Sequence, residues 1–391
     1  MDKLAERSLD MTFPGRMVFG AGESKRLGDM VWGLVASRAF VVTDSGVSAS
    51  GIVDEVRASL EAAKTETSSF DSVSPNPSTA DVEAGSEALT GFGVRGVVVV
   101  AVGGGSSMDA AKAISLHAVN GGDVRGLDFR NEIPTPGLPV IAVPTMSGTG
   151  SETNGFGVIT DPSKERKFYV GHESVYPKAS VLDPNLTLGL PPGATAATGL
   201  DALTHALEAA MSKNGNPYAD GLASQIVRMV FEWLPKAVED GGNAEARSQM
   251  LLAAHLAGLS FASGTGLGLC HAIAHPVGAR VGAPHGAALA AVLPQVMDFN
   301  LPTSSGKLAP LAAALGVSHA EKDDEANARS FISEAERLIK RVMGEPKLSN
   351  LGVGREMLPL LVEDAMNDGV MSNTPRMPSE KEVEGILNSA L

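Results

Sequence analysis

The chain has 391 residues, of which 43% are hydrophobic and 4% aromatic, values typical of a globular protein with two or three domains. Its 31 basic and 45 acidic residues give a formal net charge of -14, which argues against binding to nucleic acid or to an anionic membrane. One cysteine excludes an internal disulfide framework, and no apolar run approaches the roughly 18 residues of a membrane span. Because residues 1–16 also lack the apolar segment of a signal peptide, we expect a cytoplasmic protein.

The first half of the chain alternates short β-branched runs with helical patterns, up to about Asp183. The clearest runs are residues 40–42, 97–102 and 140–143, and each is followed by small or polar residues. This rhythm predicts βαβ units around a parallel sheet, with ligand-binding turns at the ends of the strands.

A different pattern begins after Pro191 and Pro192. Alanine- and leucine-rich stretches with helical spacing cover residues 195–211, 219–234, 244–262 and 331–342. We therefore predict an α/β dinucleotide-binding domain over residues 1–189 and an all-helical domain over residues 190–391.

A glycine-rich turn follows the predicted strand at residues 97–102. Gly103, Gly104, Gly105 and Ser106 come directly before a helical pattern that opens near Asp109. Free backbone N–H groups at a helix N-terminus favour a pyrophosphate group, although the spacing is not Gly-x-Gly-x-x-Gly and a plain tight turn is the alternative.

Two further turns after predicted strands carry polar groups. Asp44 follows residues 40–42, where a carboxylate can bind the ribose hydroxyls of NAD and disfavour NADP, or can merely cap a turn. The loop at residues 144–152 is rich in hydroxyls and glycines, which suits either a second ligand-binding loop or ordinary turn chemistry.

Half of the eight histidines form an informative pattern in the helical half. His205 lies four residues after Asp201, and His275 lies four residues after His271, so each pair occupies one helix face; His285 follows. One carboxylate with two or three imidazoles suits Fe²⁺ or Zn²⁺. We interpret His255 and Cys270 as packing residues.

These motifs, in this order, resemble the iron-dependent (group III) alcohol dehydrogenases. The likeness begins at residues 19–22 and continues through residues 75–77, 103–112, 144–152, 199–205, 270–275 and 284–286. It implies an α/β domain joined to a helical metal-binding domain, with the active site in the cleft between them, as in the dehydroquinate synthase-like fold.

The resemblance also implies roles for individual residues. The metal ligands would be Asp201, His205, His271 and His285, and His275 would be a catalytic residue near the substrate. The NAD-binding residues would be Asp44, Gly103, Gly104, Gly105, Ser106, Asp109, Thr145 and Thr149. The implied metal is Fe²⁺, with Zn²⁺ as the competitor.

One departure from the family pattern lies between Phe261 and His271, where the chain is one residue longer than expected. The extra residue and its neighbouring glycines are expected to reshape the wall of the substrate site.

The predicted function is NAD-dependent oxidation of a small primary alcohol, or reduction of its aldehyde, by a homodimer or larger homo-oligomer. The alternative is an NAD- and metal-dependent lyase or cyclase resembling dehydroquinate synthase, and a non-catalytic relative is a third possibility. The apolar residues Ala202, Leu203, Ala272 and Ile273 beside the proposed ligands favour an uncharged alcohol.

Overall fold

A computed structural model describes residues 11–13 and 15–391. Most of the N-terminal stretch tested above for a signal peptide, residues 1–10 and Pro14, lies outside the described residues. Within the described residues no single helix is long and apolar enough to cross a membrane. One pair of helical segments, Ala244–Thr265 with Leu269–Val281, is long and apolar enough when taken together, but it is bent by 111°.

A parallel six-stranded sheet forms the first half of the molecule, with strand order β1-β8-β5-β4-β2-β3. Its strands are β1 (Arg16–Phe19), β2 (Arg38–Val42), β3 (Glu66–Phe70), β4 (Val97–Gly103), β5 (Val140–Pro144) and β8 (Ala179–Leu182). The strands predicted from sequence are therefore present, as β2, β4 and β5. A separate antiparallel hairpin, β6 (Phe156–Asp161) and β7 (Arg166–Gly171), was not predicted.

Helices cover both faces of this sheet: α1 (Leu27–Gly33), α2 (Ser45–Ala49), α3 (Ile52–Ala62), α4 (Thr79–Phe92) and α5 (Gly105–Asn120). Alternate residues of β4 enter two different hydrophobic clusters, Val97 and Val99 in one and Val98 and Val100 in the other. A strand buried on both faces explains why its sequence is a continuous run of valines rather than an alternating pattern.

The second half of the described chain is helical. Its helices are α6 (Pro192–Met211), α7 (Pro217–Glu239), α8 (Ala244–Ser260), α9 (Leu269–Val281), α10 (His285–Ala314), α11 (Asp324–Met343), α12 (Leu358–Asn367) and α13 (Glu380–Ala390). Asn216 caps α7 by accepting a hydrogen bond from the Ala219 N–H, and Pro217 occupies the first turn, as the turn signal there predicts. The predicted fold class, a parallel α/β unit followed by an all-helical unit, is confirmed.

The order in which successive strands are added to the parallel sheet reverses at β2, between β3 on one side and β4 on the other. From β2 the chain proceeds outward to β3 at the sheet edge, and it then crosses to β4 on the other side of β2. In open α/β sheets a crevice forms at the carboxyl ends of the strands where such a reversal occurs. Asp44 and the turn at Gly103 flank that position.

Candidate active site

A cleft of 1710 Å³ lies between the carboxyl ends of the strands and helices α6, α9 and α10. This volume exceeds the roughly 300–1,000 Å³ of a site for one small molecule, so a dinucleotide and a second ligand have room together. The cleft is lined by most of the residues singled out from the sequence, namely Asp44, Gly104, Gly105, Ser106, Asp109, Thr149, Asp201, His205, His271, His275 and His285. Gly103 and Thr145 are buried close to this wall, where the Thr145 N–H donates to the Gly103 carbonyl over 3.0 Å.

The glycine turn packs tightly against the loop after β5. A Cβ atom on Gly104 would lie 2.6 Å from Met146, and a Cβ atom on Gly105 would lie 2.8 Å from Thr149. Helix α5 begins at Gly105 with no side chain capping its first turn. The N–H groups of that turn therefore face the cleft without a side-chain partner, an arrangement that suits a phosphate group.

Asp44 performs the capping role that was the alternative interpretation. Its Oδ1 atom accepts hydrogen bonds from the N–H groups of Gly46 and Val47, and its Oδ2 atom accepts one from the Ser107 hydroxyl at 3.0 Å. The carboxylate is partly exposed at the cleft beside the glycine turn. Oδ2 accepts only one hydrogen bond and keeps acceptor capacity, so capping does not preclude contact with a ribose.

Asp109 connects α5 to two other segments. It accepts hydrogen bonds from the Ser151 hydroxyl at 2.6 Å and from the Val158 N–H at 3.0 Å. Its Oδ1 atom also lies 4.0 Å from the ammonium group of Lys112. Both carboxylate oxygens are therefore engaged in holding the wall of the cleft together.

Lys112, one turn further along α5, is fully buried and was missed in the sequence analysis. Its ammonium group, which has three N–H donors, lies 2.6 to 3.1 Å from four acceptors: the Ser151 carbonyl and hydroxyl, Asn154 Oδ1 and the Phe156 carbonyl. Burial lowers the pKa of Lys112 to about 8, against the opposing charges of Asp109 and Glu152. The group is still protonated at neutral pH, and it anchors the loop that follows β5.

Asp201 is the centre of the histidine cluster. Its Oδ1 atom lies 3.3 Å from Nε2 of His205, 3.7 Å from Nε2 of His271 and 3.9 Å from Nε2 of His285. Donor atoms of Asp201, His271 and His285 all lie within 4.8 Å of one another, and His205 adjoins this trio with its ring stacked on His271. Ligands placed tetrahedrally about 2.1 Å from one ion are themselves about 3.4 Å apart, so the spacing suits a metal.

Several buried polar atoms of these side chains have no hydrogen-bond partner. Within the described part of the chain, Oδ1 of Asp201, Nε2 of His271 and Nδ1 of His285 are buried without a hydrogen bond. Buried polar atoms are seldom left unpaired, and three in one cluster point to a ligand. The residues present therefore fit a divalent cation.

The charges of the cluster also favour a bound cation. Burial acts to raise the pKa of Asp201, but the imidazoles of His205, His271 and His285 outweigh it and hold that pKa well below its usual range. Burial acts to lower the pKa of His271, but hydrogen bonds and charge from Asp201 and Glu208 raise it to about 9. Two buried carboxylates thus surround one imidazole, and this excess of negative charge favours a cation.

Two hydrogen bonds orient the imidazoles. Nδ1 of His205 donates to the Gly148 carbonyl at 3.2 Å, and Nδ1 of His271 donates to Oε2 of Glu208 at 2.6 Å. The partners are acceptors only, so each ring carries a proton on Nδ1, and Nε2 is the nitrogen left for a metal, whose binding displaces any proton held there. Glu208 was missed in the sequence analysis, although it lies on α6 two turns after Asp201 and therefore on the same face.

Close contact between α10 and α6 brings His285 to the cluster. A Cβ atom on Gly286 would lie 2.1 Å from the Ala197 carbonyl oxygen, so only glycine permits the first turn of α10 to approach α6 this closely. His285 is the first residue of α10, and its side chain is 29% exposed toward the cleft. The Pro284-His285-Gly286 motif is thus a packing device as well as a source of a donor atom.

His275 lines the cleft next to the cluster without joining it. Its ring stacks on His285, with centroids 5.6 Å apart and planes 11° from parallel. Its Nδ1 atom lies 2.8 Å from Oδ2 of Asp368, another residue that the sequence analysis did not single out.

The stretch after Phe261 that departs from the family pattern opens with a wide turn over Phe261–Thr265. The helical path is broken there at Gly264, which adopts φ 94°, a left-handed conformation that glycine accepts readily. Here the turn places the Phe261 ring 4.9 Å from the His205 ring and forms part of the cleft wall.

Cys270 and His255 have other partners. The Cys270 thiol is buried and donates to the Leu289 carbonyl, and burial raises its pKa well above the usual range. Nδ1 of His255 lies 3.1 Å from Oε1 of Glu152.

A dinucleotide-sized cleft that ends at a carboxylate-imidazole cluster defines a metal-dependent, dinucleotide-dependent enzyme. Comparison with known proteins identifies the family. Residues 14–184 match the iron-containing alcohol dehydrogenase model, and residues 195–391 match the C-terminal model of the Fe-containing alcohol dehydrogenase family.

Individual relatives agree over nearly the whole chain. The NAD-dependent methanol dehydrogenase of Bacillus methanolicus is 35% identical over 97% of this chain and 98% of its own. A crystal structure of 1,3-propanediol oxidoreductase superposes with a TM-score of 0.93 at 34% identity, covering 98% of this chain and 100% of that one. Sulfoacetaldehyde reductase from Bifidobacterium kashiwanohense, solved in complex with NAD+, gives a TM-score of 0.84 at 28% identity over 98% of each chain.

The chain therefore belongs to the iron-containing alcohol dehydrogenase family. It is an oxidoreductase that couples interconversion of an alcohol and an aldehyde to NAD(H), with iron as the family's metal. The dehydrogenase prediction is confirmed over the lyase alternative.

Proposed function

We propose that Asp201, His205, His271 and His285 hold the metal at the base of the cleft. The observation that carries the proposal is the convergence of the three histidine Nε2 atoms on Asp201 Oδ1, at 3.3 to 3.9 Å, with buried donor atoms left unpaired. Glu208 and the Gly148 carbonyl support the assignment because they fix the Nε2 lone pairs of two of these rings.

The dinucleotide would lie along the carboxyl ends of β2, β4 and β5. In this proposal the N–H groups at Gly104, Gly105 and Ser106 bind its phosphates, with Gly103 shaping the turn, and Asp44 binds the adenosine ribose. Thr149 faces the nicotinamide side, while Thr145 and Asp109 hold the two loops in place, which their buried contacts support.

The substrate is proposed to be a small, uncharged primary alcohol or its aldehyde. The apolar residues cited for this from the sequence, Ala202, Leu203, Ala272 and Ile273, are buried in the helical core rather than facing the cleft. Support comes instead from the apolar side chains that do line the cleft, which include Phe156, Phe261, Ala262, Leu267 and Val370.

When bound, the metal supplies Lewis acidity at the substrate oxygen and NAD accepts a hydride. The chain's own residues orient the reactants. Phe261 and Leu267 exclude water from the space beside the histidine cluster, and His275 receives the hydroxyl proton of the alcohol or returns it to the aldehyde.

Three broader proposals complete this assignment: a cytoplasmic enzyme, a boundary between its two domains at residues 189 and 190, and a homodimer. The boundary is supported by hydrophobic clusters that end at Leu186 on one side and begin at Ala196 on the other. The dimer is supported by β1, a strand at the edge of the sheet whose Met17 and Phe19 side chains are exposed.

The ligand assignment is tested with His205→Ala and His285→Ala, and with His319→Ala at an exposed histidine as the control. The first two variants are expected to lose metal and turnover but to remain able to bind NAD in a fluorescence titration, because the glycine turn lies on the α/β unit. Unchanged metal content in both would refute the assignment. NADH formation from C2 to C6 alcohols, diols and aldehydes tests the substrate class.

A further inference from the structure

Asp368 meets His275 from a separate segment of the helical unit. It follows α12 and caps the short helical turn Gly369–Asn373, where its Oδ1 atom accepts a hydrogen bond from the Val370 N–H at 3.0 Å. Its Oδ2 atom lies 2.8 Å from Nδ1 of His275. One oxygen is thus fixed by the backbone, which holds the other in place for the imidazole.

Tyr169 completes the arrangement from the opposite side of the cleft. It belongs to β7, in the hairpin of the α/β unit, and its hydroxyl donates to Oδ1 of Asp368 at 3.3 Å and lies 3.4 Å from Nδ1 of His275. Burial, followed by the charge of Asp368, raises the pKa of Tyr169 well above its usual value, so the phenol keeps its proton and acts as a donor. Three residues far apart in sequence therefore converge beside the metal cluster.

We propose that Asp368, steadied by Tyr169, is the positioning residue of His275. A carboxylate can only accept, so Nδ1 of His275 carries the proton that it donates to Asp368, and Nε2 is left as the acceptor for the substrate hydroxyl. Without Asp368 the ring is free to adopt the other tautomer or to rotate, and either change removes the acceptor from the substrate. This inference rests on the proposed role of His275 in alcohol oxidation.

A carboxylate at position 368 distinguishes the two ring nitrogens of His275. Stacking on His285 fixes the plane of the His275 ring but does not distinguish its two nitrogens, whereas the bond to Asp368 does. Because Tyr169 reaches Asp368 from the α/β unit, the arrangement is complete only when both sides of the cleft are in contact.

The test is a double-mutant cycle of Asp368→Asn and His275→Ala in the metal-loaded full-length protein, with kcat for alcohol oxidation as the readout. Asp368→Asn alone is expected to lower kcat by about 10- to 100-fold, less than the roughly 10²- to 10⁴-fold contribution of a complete acid-base group, because the imidazole itself is retained, and to leave metal content and NADH affinity unchanged. In the His275→Ala background the same substitution is expected to change kcat by less than about 2-fold, because the two residues act as one unit.

Two further variants sharpen the result. Tyr169→Phe is expected to lower kcat by about 5-fold, the value of one hydrogen bond, and to have no added effect on top of Asp368→Asn. Glu363→Gln removes an exposed carboxylate from the same stretch of the cleft rim and is expected to leave kcat unchanged.

Equal losses from Asp368→Asn in both backgrounds would overturn the inference, because a merely structural role adds to any other defect. An unchanged kcat in Asp368→Asn would overturn it as well. Failure of the proposed function looks different, since the wild type itself would then form no NADH from any alcohol.

Discussion

Nδ1 of His271 and Oε2 of Glu208 lie 2.6 Å apart, and both groups are buried between α6 and α9. Glu208 also accepts hydrogen bonds from the N–H groups of Gly268 and Cys270, at 3.0 and 2.6 Å. The same carboxylate therefore starts helix α9 and orients the histidine in its first turn. One carboxylate thus both caps the helix and orients an imidazole of the histidine cluster.

Glu208→Gln is expected to weaken metal binding by about 10- to 100-fold, because a neutral amide is a poorer acceptor for the His271 Nδ1 proton. Competition with a chelator, followed by metal analysis, measures the affinity. Glu232→Gln, an exposed carboxylate on α7, is the control and should match the wild type. Wild-type affinity in Glu208→Gln would show that the hydrogen bond does not tune the ligand.

Asp44→Asn is expected to raise the ratio of kcat/KM with NADP to kcat/KM with NAD, because it removes the charge that opposes a 2′-phosphate. Asparagine keeps the oxygen that caps α2, and the two residues are about equal as caps, so the melting temperature should stay within about 2 °C. The exposed Asp54→Asn is the control. If the wild type already prefers NADP, Asp44 is a capping residue alone.

Lys112→Met is expected to destabilise the α/β unit by about 3–5 kcal/mol. The substitution leaves Asp109 buried without its cation and leaves the hydrogen-bond acceptors in the loop after β5 without a donor. A fall in melting temperature of roughly 10 °C should accompany it. Lys25→Met, at an exposed lysine, should be neutral. A melting temperature equal to that of the wild type would mean that water or a rearranged loop replaces the ammonium group.

Metal exchange is expected to distinguish iron from zinc. The proposed donor set is one carboxylate and three imidazoles with no thiolate, which binds either ion, so activity rather than affinity must separate them. Apo protein reconstituted anaerobically with Fe²⁺ should form NADH from alcohol faster than the Zn²⁺ form. A Zn²⁺ form at least as active, with iron adding nothing, would contradict the preference for iron.

Local sequence patterns were enough to predict the strands β2, β4 and β5, the glycine turn and the helical spacing of the histidine pairs. The valine run predicts β4 because a strand buried on both faces needs apolar residues throughout. The spacing of Asp201 and His205 predicts that they share a helix face because four residues make about one helical turn. Glu208 follows the same rule and could have been found as the next polar residue on that face of α6.

The rest depends on tertiary contacts. Nothing near Asp368 or Tyr169 in sequence indicates that they meet at His275, since Asp368 lies 93 residues beyond His275 and Tyr169 lies 106 residues before it. The β6–β7 hairpin was overlooked because its polar, partly exposed strands lack a continuous apolar run. The departure from the family pattern after Phe261 was visible in sequence, but the wide turn over Phe261–Thr265, with Gly264 in a left-handed conformation, was not.

The hydrogen bond from His205 to the Gly148 carbonyl has a thermodynamic consequence. Gly148 belongs to the loop that packs on the glycine turn, whereas His205 belongs to the histidine cluster, so this bond links the two parts of the site. An ion that immobilises His205 also restricts this loop. The binding of NAD then costs less conformational entropy, because the loop is already ordered. Because such coupling is reciprocal, the factor by which metal tightens NAD binding equals the factor by which NAD tightens metal binding.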